Sequence, residues 1–510
     1  MDCRRVCSYE SGQSSGAKVT GESLGYVMSA SVQTVQDILQ RHEVAAPLSQ
    51  SVVAGLVGFL DLCAVAMCGL VIVAILGRVT VGPSEVAAIS LCALLLVLGL
   101  HAAGAYDFRA IMNPARSAPT IIAVSAVAFL VLIALAFAFK VSSEISRLWA
   151  FSWMLSVVVL VLIFRGFAST VTRRLAEAGR IGRRIVIYGA GLQGQRIVER
   201  IDQLDEPWNR IVGVFDDRLA RTAPTVGRYP VLGNLADLVE WGRRQCPDEI
   251  LVAIPWGAED RLVDILQTLA VLPANVRLCS EFQRVDLIQG RANSQYGITM
   301  LNAFEKPQAG WGRIWKKCFD LGVAGLATLI SLPLMLLIAA GIKLESSGPV
   351  LFRQKRYGFN NKLIEIYKFR TMYTQAADLL GTRLTERDDP RVTRVGALLR
   401  RLSLDELPQL LNVLRGEMSV VGPRPHAILT TAGGRECDEV VNQYAVRHKV
   451  KPGITGWAQV NGWRGTMQDE EHLIRRVEHD MYYINNWTPL FDIQIIVRTL
   501  WVVLHGRNSF

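Results

Sequence analysis

The chain has 510 residues, of which 51% are hydrophobic, and its formal net charge is +10. This length allows two or three domains, and the hydrophobic share exceeds that of an ordinary soluble protein, which indicates insertion into a membrane. Cytoplasmic loops, anionic headgroups and phosphorylated ligands explain the positive charge, so we expect no nucleic acid as a partner. The 9 cysteines show no C-x-x-C spacing, which argues against a zinc site or a disulfide framework.

The first part of the chain predicts a tail followed by membrane helices. Residues 1–47 are polar and predict a disordered cytoplasmic tail. Region 48–168 contains apolar runs, each about long enough to cross a hydrocarbon core of ~30 Å as a helix. These runs predict a four-helix transmembrane bundle and lie near 52–76, 86–105, 118–139 and 148–164. Arginines from Arg165 onward follow the fourth run, which places both ends of the bundle in the cytoplasm. Asp61 in the first run is either functional or paired within the bundle, and we favour the pair.

The region 180–300 has the pattern of a dinucleotide-binding domain. An apolar strand leads into Gly189, Gly191 and Gly194 and then into a helical segment. Further strands, one of them ending at Asp216, predict a Rossmann-like α/β domain. No tyrosine in the chain has a lysine four residues on, which argues against dehydratase chemistry of the type that uses this pair. We therefore expect an accessory domain, either a nucleotide-binding one or a scaffold.

A longer apolar segment at about 314–344 has the length of a fifth membrane span. Lys316 at its entrance and Lys343 at its exit favour the same side of the membrane for both ends, and Pro333 bends a helix at its centre. These features predict a re-entrant helix that returns to the cytoplasmic face. Ser331 is predicted to satisfy the carbonyl group that Pro333 leaves without a partner.

Residues 350–372 alternate as a β-hairpin with a turn at 358–361. Period-2 geometry puts Lys368 and Arg370 on one face of the second strand, where they are candidates for a phosphate clamp. A solvated basic strand is the alternative.

Ser403, followed three residues later by Glu406 and an apolar run, is typical of a capping box and predicts a helix over 404–414. Asp405 then lies in the first turn, where the positive end of the helix favours its ionised form. Neighbouring helix positions point about 100° apart, so Asp405 and Glu406 cannot share one proton as a facing pair. The segment is either a structural cap or a site in which one carboxylate attacks while the other handles a proton or a metal.

Two turns and a final helix complete the module. Pro423 and Pro425 stiffen the backbone around Arg424, which lowers the entropy lost when an arginine binds phosphate; a plain turn is the alternative. The glycine-rich turn at 451–456 is a candidate source of N–H donors or part of a lipid entrance. Residues 487–504 predict a helix that lies either on the membrane surface or in the interior.

These motifs resemble those of the bacterial sugar transferase family of polyprenyl-phosphate hexose-1-phosphate transferases. The resemblance covers 306–510, and the preceding domains are similar to the family's long form, the undecaprenyl-phosphate glucose phosphotransferases. The quoted stretches that carry it are Lys368–Met372, Asp388–Arg394, Ser403–Gly416, Val421–Pro425 and Arg447–Gly462. The resemblance implies an α+β monotopic phosphoglycosyl transferase module, a multi-pass protein of the bacterial inner membrane with its catalytic domain on the cytoplasmic face, contact with membrane lipids, and a homodimer. Asn361 stands where glycine is common in that family.

The resemblance also implies a chemistry. Asp405 would attack a UDP-hexose, release UMP, and pass the sugar phosphate to undecaprenyl phosphate, with Glu406 as a proton or metal partner. The cations expected to neutralise phosphate oxygens are Lys368, Arg370, Arg400, Arg424 and Arg447. Two phosphates favour Mg²⁺ with oxygen ligands, which Asp405 and Glu406 would supply. The long form favours glucose 1-phosphate and the first membrane step of exopolysaccharide or capsule synthesis. The alternative is an inactive polytopic nucleotide-binding sensor or assembly subunit.

Overall fold

A computed structural model describes the ranges 48–76, 81–142, 145–219, 223–255, 257–279, 294–296, 298–373, 389–426, 431–432, 435–441, 444–463, 465 and 469–504. The predicted tail 1–47 lies outside these residues, as does Asp388 of the motif before Arg394.

The described helices are α1 (Gln50–Ile75), α2 (Pro83–Ala102), α3 (Phe108–Met112), α4 (Pro114–Ala138), α5 (Arg147–Glu177), α6 (Leu192–Gln203), α7 (Leu235–Gln245), α8 (Glu259–Leu269), α9 (Trp311–Glu345), α10 (Arg394–Arg401), α11 (Gln409–Leu414), α12 (Cys437–Val440), α13 (Trp457–Val460), α14 (Glu470–Asn485) and α15 (Pro489–Leu504). Short 3₁₀ turns include Phe359–Asn361, Leu404–Glu406 and Tyr444–Lys449.

The described strands are β1 (Arg183–Tyr188), β2 (Asn209–Phe215), β3 (Thr225–Val226), β4 (Tyr229–Pro230), β5 (Glu249–Val252), β6 (Asn275–Cys279), β7 (Ser294–Gln295), β8 (Ile298–Phe304), β9 (Leu351–Tyr357), β10 (Leu363–Phe369), β11 (Ser419–Val421), β12 (Thr431–Ala432), β13 (Arg435–Glu436) and β14 (Gly453–Thr455).

Within the described ranges, 5 helices are long and apolar enough to cross a membrane, namely α1, α2, α4, α5 and α9. The first four of these pack around one apolar core. Trp149 and Trp153 of α5 lie in this core with ring centroids 4.8 Å apart, and their indole nitrogens donate to the carbonyl groups of Gly69 and Val65 on α1. A buried indole N–H needs an acceptor, so these bonds fix α5 against α1.

A buried ion pair also joins α1 to α5. Arg165 Nη2 donates to Asp61 Oδ2 at 2.7 Å, and each side chain is 1% exposed. The hydroxyl group of Tyr106 donates to the same oxygen at 3.0 Å. The prediction that Asp61 pairs within the bundle is confirmed. The placement of Arg165 beyond the fourth helix is wrong, because α5 continues to Glu177 and keeps Arg165 inside the bundle.

A six-stranded sheet follows the bundle, in the strand order β2–β1–β5–β6–β8–β7. Strands β2, β1, β5 and β6 are parallel, and β8 runs antiparallel to β6. Parallel neighbours need crossover connections, which here include α6, α7 and α8. We call this unit, residues 183–304, the sheet domain. The carboxyl ends of β1 and β2 meet at the predicted glycine loop.

Close backbone contacts explain two of the glycines of this loop, Gly189 and Gly194. Gly189 has a φ of +114°, and a Cβ atom on Gly194 would lie 1.9 Å from the carbonyl oxygen of Gly189. Gly191 directly precedes α6. The N–H of Ala190 donates to Asp216 Oδ2 at 2.8 Å, so one donor of the loop already has a protein acceptor. Nucleotide binding at this loop stays a prediction.

The C-terminal module is built on α9. Strands β9 and β10 pair antiparallel, with Leu363 opposite Tyr357, which confirms the predicted hairpin. Strands β11 and β14 pair in parallel. Residues of α9, α11, α14 and α15 surround these elements in one apolar core that includes Tyr483 and Ile495.

Helix α9 continues through Pro333. The hydroxyl group of Ser331 donates to the carbonyl oxygen of Thr328 at 3.4 Å. The predicted role of Ser331 is therefore wrong, since the carbonyl group that Pro333 leaves without a donor belongs to Leu329, four residues before the proline. A helical serine reaches a carbonyl three or four residues back, which excludes Leu329, two residues back.

Both ends of α9 pack against the same C-terminal module. Near its start, Lys316 Nζ donates to Asp492 Oδ2 at 2.8 Å, and near its end Ile342 packs with Phe369 and Leu399. Lys316, the lysine at the entrance of the helix, is 6% exposed and thus buried in the module; that both ends lie on one side of the membrane stays a prediction. The large apolar side chains in the middle of α9 are exposed, and they are Leu326, Leu329, Ile330, Leu332, Leu334, Leu336 and Leu337.

Helix α15 has two different faces. Asp492 and Ile495 are buried against the module. The opposite face exposes apolar side chains, namely Leu490, Ile493, Val497, Leu500 and Trp501. Each of the two predicted environments of this helix, interior and membrane surface, thus fits one of its faces.

Candidate active site

The backbone before the two adjacent carboxylates differs from the predicted helix start. Ser403 has φ 56° and ψ 21°, and its side chain makes no capping hydrogen bond. Residues 404–406 form a 3₁₀ turn, and the α-helix begins only at Gln409, after Pro408. The predicted capping box and the helix over 404–414 are therefore wrong, because a serine in the left-handed conformation lacks the extended backbone of an N-cap.

Glu406 lies between two cations. Lys368 Nζ donates to Glu406 Oε1 at 3.0 Å, and Arg424 Nη1 donates to Oε2 at 3.1 Å while its second amino group donates to Oε1. Glu406 is 8% exposed, so these charge-assisted hydrogen bonds form largely out of water. Lys368 also lies 3.8 Å from Asp405 Oδ2 and thus bridges the two carboxylates.

Burial shifts the pKa values of two groups in this cluster, Asp405 and Lys368. It raises the pKa of the Asp405 carboxyl group above its ordinary value, although the nearby Lys368 ammonium opposes the rise. Burial likewise lowers the pKa of Lys368, against the attraction of Glu406 and Asp405. The expectation that a helix end favours ionised Asp405 is wrong, since the α-helix begins at Gln409, too late to act on this residue.

Arg400 and Arg370 have different surroundings. Arg400 Nε donates to the hydroxyl group of Thr371 at 2.9 Å, and Asp405 is the carboxylate that acts most strongly on the Arg400 pKa, which burial lowers. Arg370 donates to the carbonyl oxygens of Ser346 and Ser347 at 2.7 and 2.8 Å. Strand β10 ends one residue before Arg370, so the period-2 argument that grouped Arg370 with Lys368 fails there.

The turn Pro423–Pro425 is held through its carbonyl groups. Lys316 Nζ and the hydroxyl group of Tyr483 donate to the carbonyl oxygen of Val421 at 2.9 and 3.0 Å. The carbonyl oxygens of the turn itself also accept hydrogen bonds. Pro423 accepts from the N–H of Gly453 at 2.9 Å, Arg424 from the side chain of Arg447 at 2.8 Å, and Pro425 from the side chain of Arg356 at 2.6 Å. These bonds fix the backbone that carries the Arg424 side chain toward Glu406.

The turn at 451–456 supports this arrangement. Strand β14 of this turn pairs with β11, and a Cβ atom on Gly453 would lie 2.1 Å from the backbone nitrogen of Gly422. Only glycine permits such an approach. Among the N–H groups of this turn, that of Gly453 has Pro423 as its acceptor, so it positions the arginine-bearing turn.

Arg447 lies behind Arg424. It is 1% exposed, and its Nη2 donates to Asp480 Oδ2 at 2.6 Å as well as to the carbonyl oxygen of Arg424. Its Nη1 donates to the hydroxyl group of Tyr444 at 2.7 Å. The structure thus surrounds Arg447 with protein partners, whereas Lys368, Arg400 and Arg424 lie around the two carboxylates.

Lys316 and Arg356 belong to this site and were missed in the sequence. Lys316 links α9 to Val421, two residues before the turn, and to Asp492 of α15, and it lies 3.3 Å from Asp320 Oδ1. Arg356 donates to the carbonyl oxygen of Pro425, and burial lowers the Arg356 pKa to about 10.

A sequence signal was present for Arg356. Lys368 pairs across the hairpin with Phe352, and Arg356 lies four residues along the same strand, hence on the same face. The period-2 argument applied to the first strand would have found it. For Lys316 the sequence shows only the i,i+4 spacing to Asp320, whereas Val421 and Asp492, the contacts that bring it to the site, are far away in sequence.

Apolar helices and a cationic site around two carboxylates define a membrane protein equipped to handle phosphate groups. Residues 311–506 match the family model described as bacterial sugar transferase, and residues 101–280 match one described as CoA-binding domain.

Several curated proteins are similar to the chain. An undecaprenyl-phosphate glucose phosphotransferase of Komagataeibacter xylinus is 39% identical over 360 residues, which is 70% of this chain and 66% of that protein. The UDP-glucose:undecaprenyl-phosphate glucose-1-phosphate transferase of Escherichia coli (strain K12) is 35% identical over 69% of this chain and 74% of that protein. An exopolysaccharide production protein of Rhizobium leguminosarum bv. phaseoli is 48% identical over 37% of this chain and 94% of that protein. The chain belongs to the bacterial sugar transferase family.

Proposed function

We propose that this protein transfers a hexose 1-phosphate, specifically glucose 1-phosphate, from a UDP-sugar to undecaprenyl phosphate. UMP leaves, and undecaprenyl-diphosphate-sugar forms as the first membrane-bound intermediate of exopolysaccharide or capsule synthesis. The observation that carries the proposal is the pair of buried Glu406 and half-buried Asp405, with Lys368, Arg400 and Arg424 around it. The names of the similar proteins support the same donor and acceptor.

The first step is an attack by Asp405. One carboxylate oxygen of Asp405 bonds to the phosphorus that carries the sugar, the bond from this phosphorus to the bridging oxygen breaks, and UMP leaves with that oxygen. Covalent capture of this kind divides one difficult step into two easier ones. The raised pKa of Asp405 makes its carboxylate a stronger nucleophile than that of an ordinary aspartate, provided that it is ionised.

The second step returns Asp405 to its free form. A phosphate oxygen of undecaprenyl phosphate attacks the same phosphorus, and the bond to Asp405 breaks. Glu406 takes any proton that the acceptor carries. Lys368 and Arg424, which contact Glu406 in this structure, are placed to exchange that carboxylate for phosphate oxygens as negative charge grows on them.

A Mg²⁺ ion fits the donor set of this site. The described residues contain no cluster of three or more His, Cys, Asp and Glu side chains. Mg²⁺ usually needs only one or two protein carboxylates when phosphates and water complete its shell. Asp405 and Glu406 would hold it, and when bound it would neutralise charge on the diphosphate.

The packing of α9 supports a re-entrant arrangement. Lys316 near its start and Ile342 near its end both contact the C-terminal module, and the apolar middle of the helix is exposed between them. A helix that crossed the bilayer would place its two ends on opposite sides, so contact of both ends with one module favours entry and return on one face. The exposed apolar face of α15 would contact lipids on that same face.

We assign the module to the cytoplasmic face of the inner membrane, since UDP-sugars are cytoplasmic. Four spanning helices then hold the sheet domain, interpreted as Rossmann-like, on the same side. A homodimer stays a prediction. A reporter fused after Phe510 tests the orientation: cytoplasmic signal supports it, and periplasmic signal contradicts it.

One assay tests the reaction. Purified protein in nanodiscs is mixed with undecaprenyl phosphate, Mg²⁺ and a panel of UDP-hexoses, and the released nucleotide is identified. We expect UMP, with UDP-glucose the fastest donor. Release of UDP would indicate ordinary glycosyl transfer and contradict the mechanism, and the absence of any release would favour the inactive sensor or assembly subunit.

A further inference from the structure

The tip of the β9–β10 hairpin docks onto the sheet domain. Asn360 is 4% exposed, and its Nδ2 donates to the carbonyl oxygen of Arg243 at 2.7 Å and to the sulfur of Cys246 at 3.2 Å. Arg243 lies in the last turn of α7, and Cys246 is its C-cap. One side chain therefore satisfies acceptors at the end of a helix in another domain.

Asn361, the next residue, contacts the catalytic module instead. Its side-chain oxygen is hydrogen-bonded to Nδ1 of His448. Asn360 and Asn361 have φ values of 55° and 60°, in the left-handed region that favours glycine. Glycine would adopt this backbone more readily than asparagine does. An asparagine there is explained by the contact that its side chain makes.

The 3₁₀ turn Tyr444–Lys449 receives this contact and packs against two parts of the protein. On one side, Lys449 Nζ lies 5.0 Å from the ring centroid of Phe304 in β8, next to the His448 contact. On the other side, Arg447 donates to the carbonyl oxygen of Arg424. Arg447, which holds the active-site arginine, is thus covalently adjacent to His448, which contacts the docked hairpin tip, and lies two residues before Lys449, which contacts the sheet domain.

We propose that the sheet domain is a positioning element of the active site: the Asn360–Asn361 turn and His448 hold Arg447, and Arg447 holds Arg424 against Glu406. This inference rests on the proposed function, because it assigns Arg424 a part in phosphate transfer. We call the linkage from Arg243 to Arg447 the latch: it consists of two hydrogen bonds, Arg243–Asn360 and Asn361–His448, and of the peptide bonds that join Asn360 to Asn361 and Arg447 to His448.

Directional hydrogen bonds make this coupling effective. Arg447 makes bonds of 2.6 to 2.8 Å to Asp480, Tyr444 and the Arg424 carbonyl group. A shift of the turn by about 1 Å misaligns such bonds, and misplacement of this size in a catalytic group costs up to about a hundredfold in rate.

The latch also keeps His448 neutral. Burial, together with the positive charges of Arg447 and Arg243, lowers the pKa of His448 to about 3. The other groups that face its ring are Tyr357, Tyr444 and Asn361. A loosened latch admits water to His448, so that it titrates near the ordinary value of about 6.5 and places a second positive charge beside Arg447.

Two substitutions break the latch without straining the backbone. Asn360→Gly removes the bond to the sheet domain, and Asn361→Gly removes the bond to His448, while glycine accepts both φ values. Lys355→Ala, an exposed position on the same hairpin, is the matched control. Initial rates of UMP release are measured for each full-length variant in nanodiscs, normalised to folded protein, across pH 5.5 to 8.5 and a series of UDP-glucose concentrations.

We expect each glycine variant to lower kcat about fivefold to tenfold, the rate equivalent of one misplaced hydrogen bond, with KM nearly unchanged. The double variant should fall no further, because both changes break one linkage in series. All three should gain an acid limb near pH 6.5 that the wild type and Lys355→Ala lack. The inference would be overturned if the glycine variants kept the kcat and pH profile of the wild type. It would also be overturned if the two substitutions lowered kcat independently, so that their effects added in the double variant. A wild type that releases no UMP would instead overturn the proposed function.

Discussion

Glu406→Gln tests the central contact of the site, because it keeps the size of the side chain while removing its charge. The wild-type carboxylate accepts from Lys368 at 3.0 Å and from Arg424 at 3.1 Å. Glutamine offers one acceptor oxygen, and its amide group then faces a cation with a donor. One lost charge-assisted hydrogen bond costs about 1.5–3 kcal/mol, and a broken buried ion pair about 3–5 kcal/mol.

We take a loss of about 3 kcal/mol, where these two ranges meet, because the Glu406 side chain is only 10% exposed. If the loss falls on the transition state, it slows turnover by about two orders of magnitude. Two assays locate the effect. Exchange of labelled UMP into UDP-glucose requires only the first step, whereas formation of the lipid product requires both.

Glu365→Gln is the control, since Glu365 is exposed on the same hairpin as Lys368. We expect the control to turn over like the wild type. A Glu406→Gln protein that kept more than half of the wild-type rate in both assays would refute the assignment of Glu406 to the chemistry. A loss confined to lipid product would identify Glu406 as the proton acceptor of the second step.

Three further outcomes are expected. Asp405→Asn should abolish turnover yet raise the unfolding temperature at pH 8. Folding raises the pKa of Asp405, so the charged carboxylate destabilises the folded protein above that pKa, and the stability advantage of the variant should vanish toward pH 4. A variant with a lower unfolding temperature than the wild type at pH 8 would contradict this. Lys316→Met should lower the free energy of unfolding by about 3–5 kcal/mol, because it leaves Asp492 charged and without its buried cation. Adding Asp492→Asn should recover part of this loss. Equal stability of Lys316→Met and wild type in denaturant titrations would show that the Lys316–Asp492 pair does not stabilise the fold. Chelation with EDTA should stop UMP release and added Mg²⁺ should restore it, whereas unchanged release in EDTA would remove the metal from the mechanism.

Local patterns in the sequence predicted the helices, strands and turns that depend mainly on interactions between residues close in sequence. Long apolar runs indicated the membrane helices, and alternation indicated the hairpin of β9 and β10. The spacing of Gly189, Gly191 and Gly194 indicated a turn between a strand and a helix, and this turn is present. In each case the residues that form the element also carry its signal.

Contacts between distant residues account for what the sequence did not predict. The backbone of Ser403 is left-handed, which no spacing rule for a capping box detects. Arg370 and Arg447 had the residue type of phosphate ligands, but their partners include carbonyl groups and Asp480 that are distant in sequence. A cation in a sequence shows that an anion or dipole is needed, and only the fold shows which one.

The anchored ends of α9 have a mechanical consequence for the bilayer. In the proposed re-entrant arrangement, the exposed apolar middle of α9 displaces lipid from the cytoplasmic leaflet only, whereas the spanning helices displace lipid equally from both. A helix about 10 Å wide inserted on one side expands that leaflet relative to the other. The protein would thus impose a local difference in lateral pressure at the place where a long-chain lipid phosphate has to bring its headgroup out of the bilayer to reach Asp405.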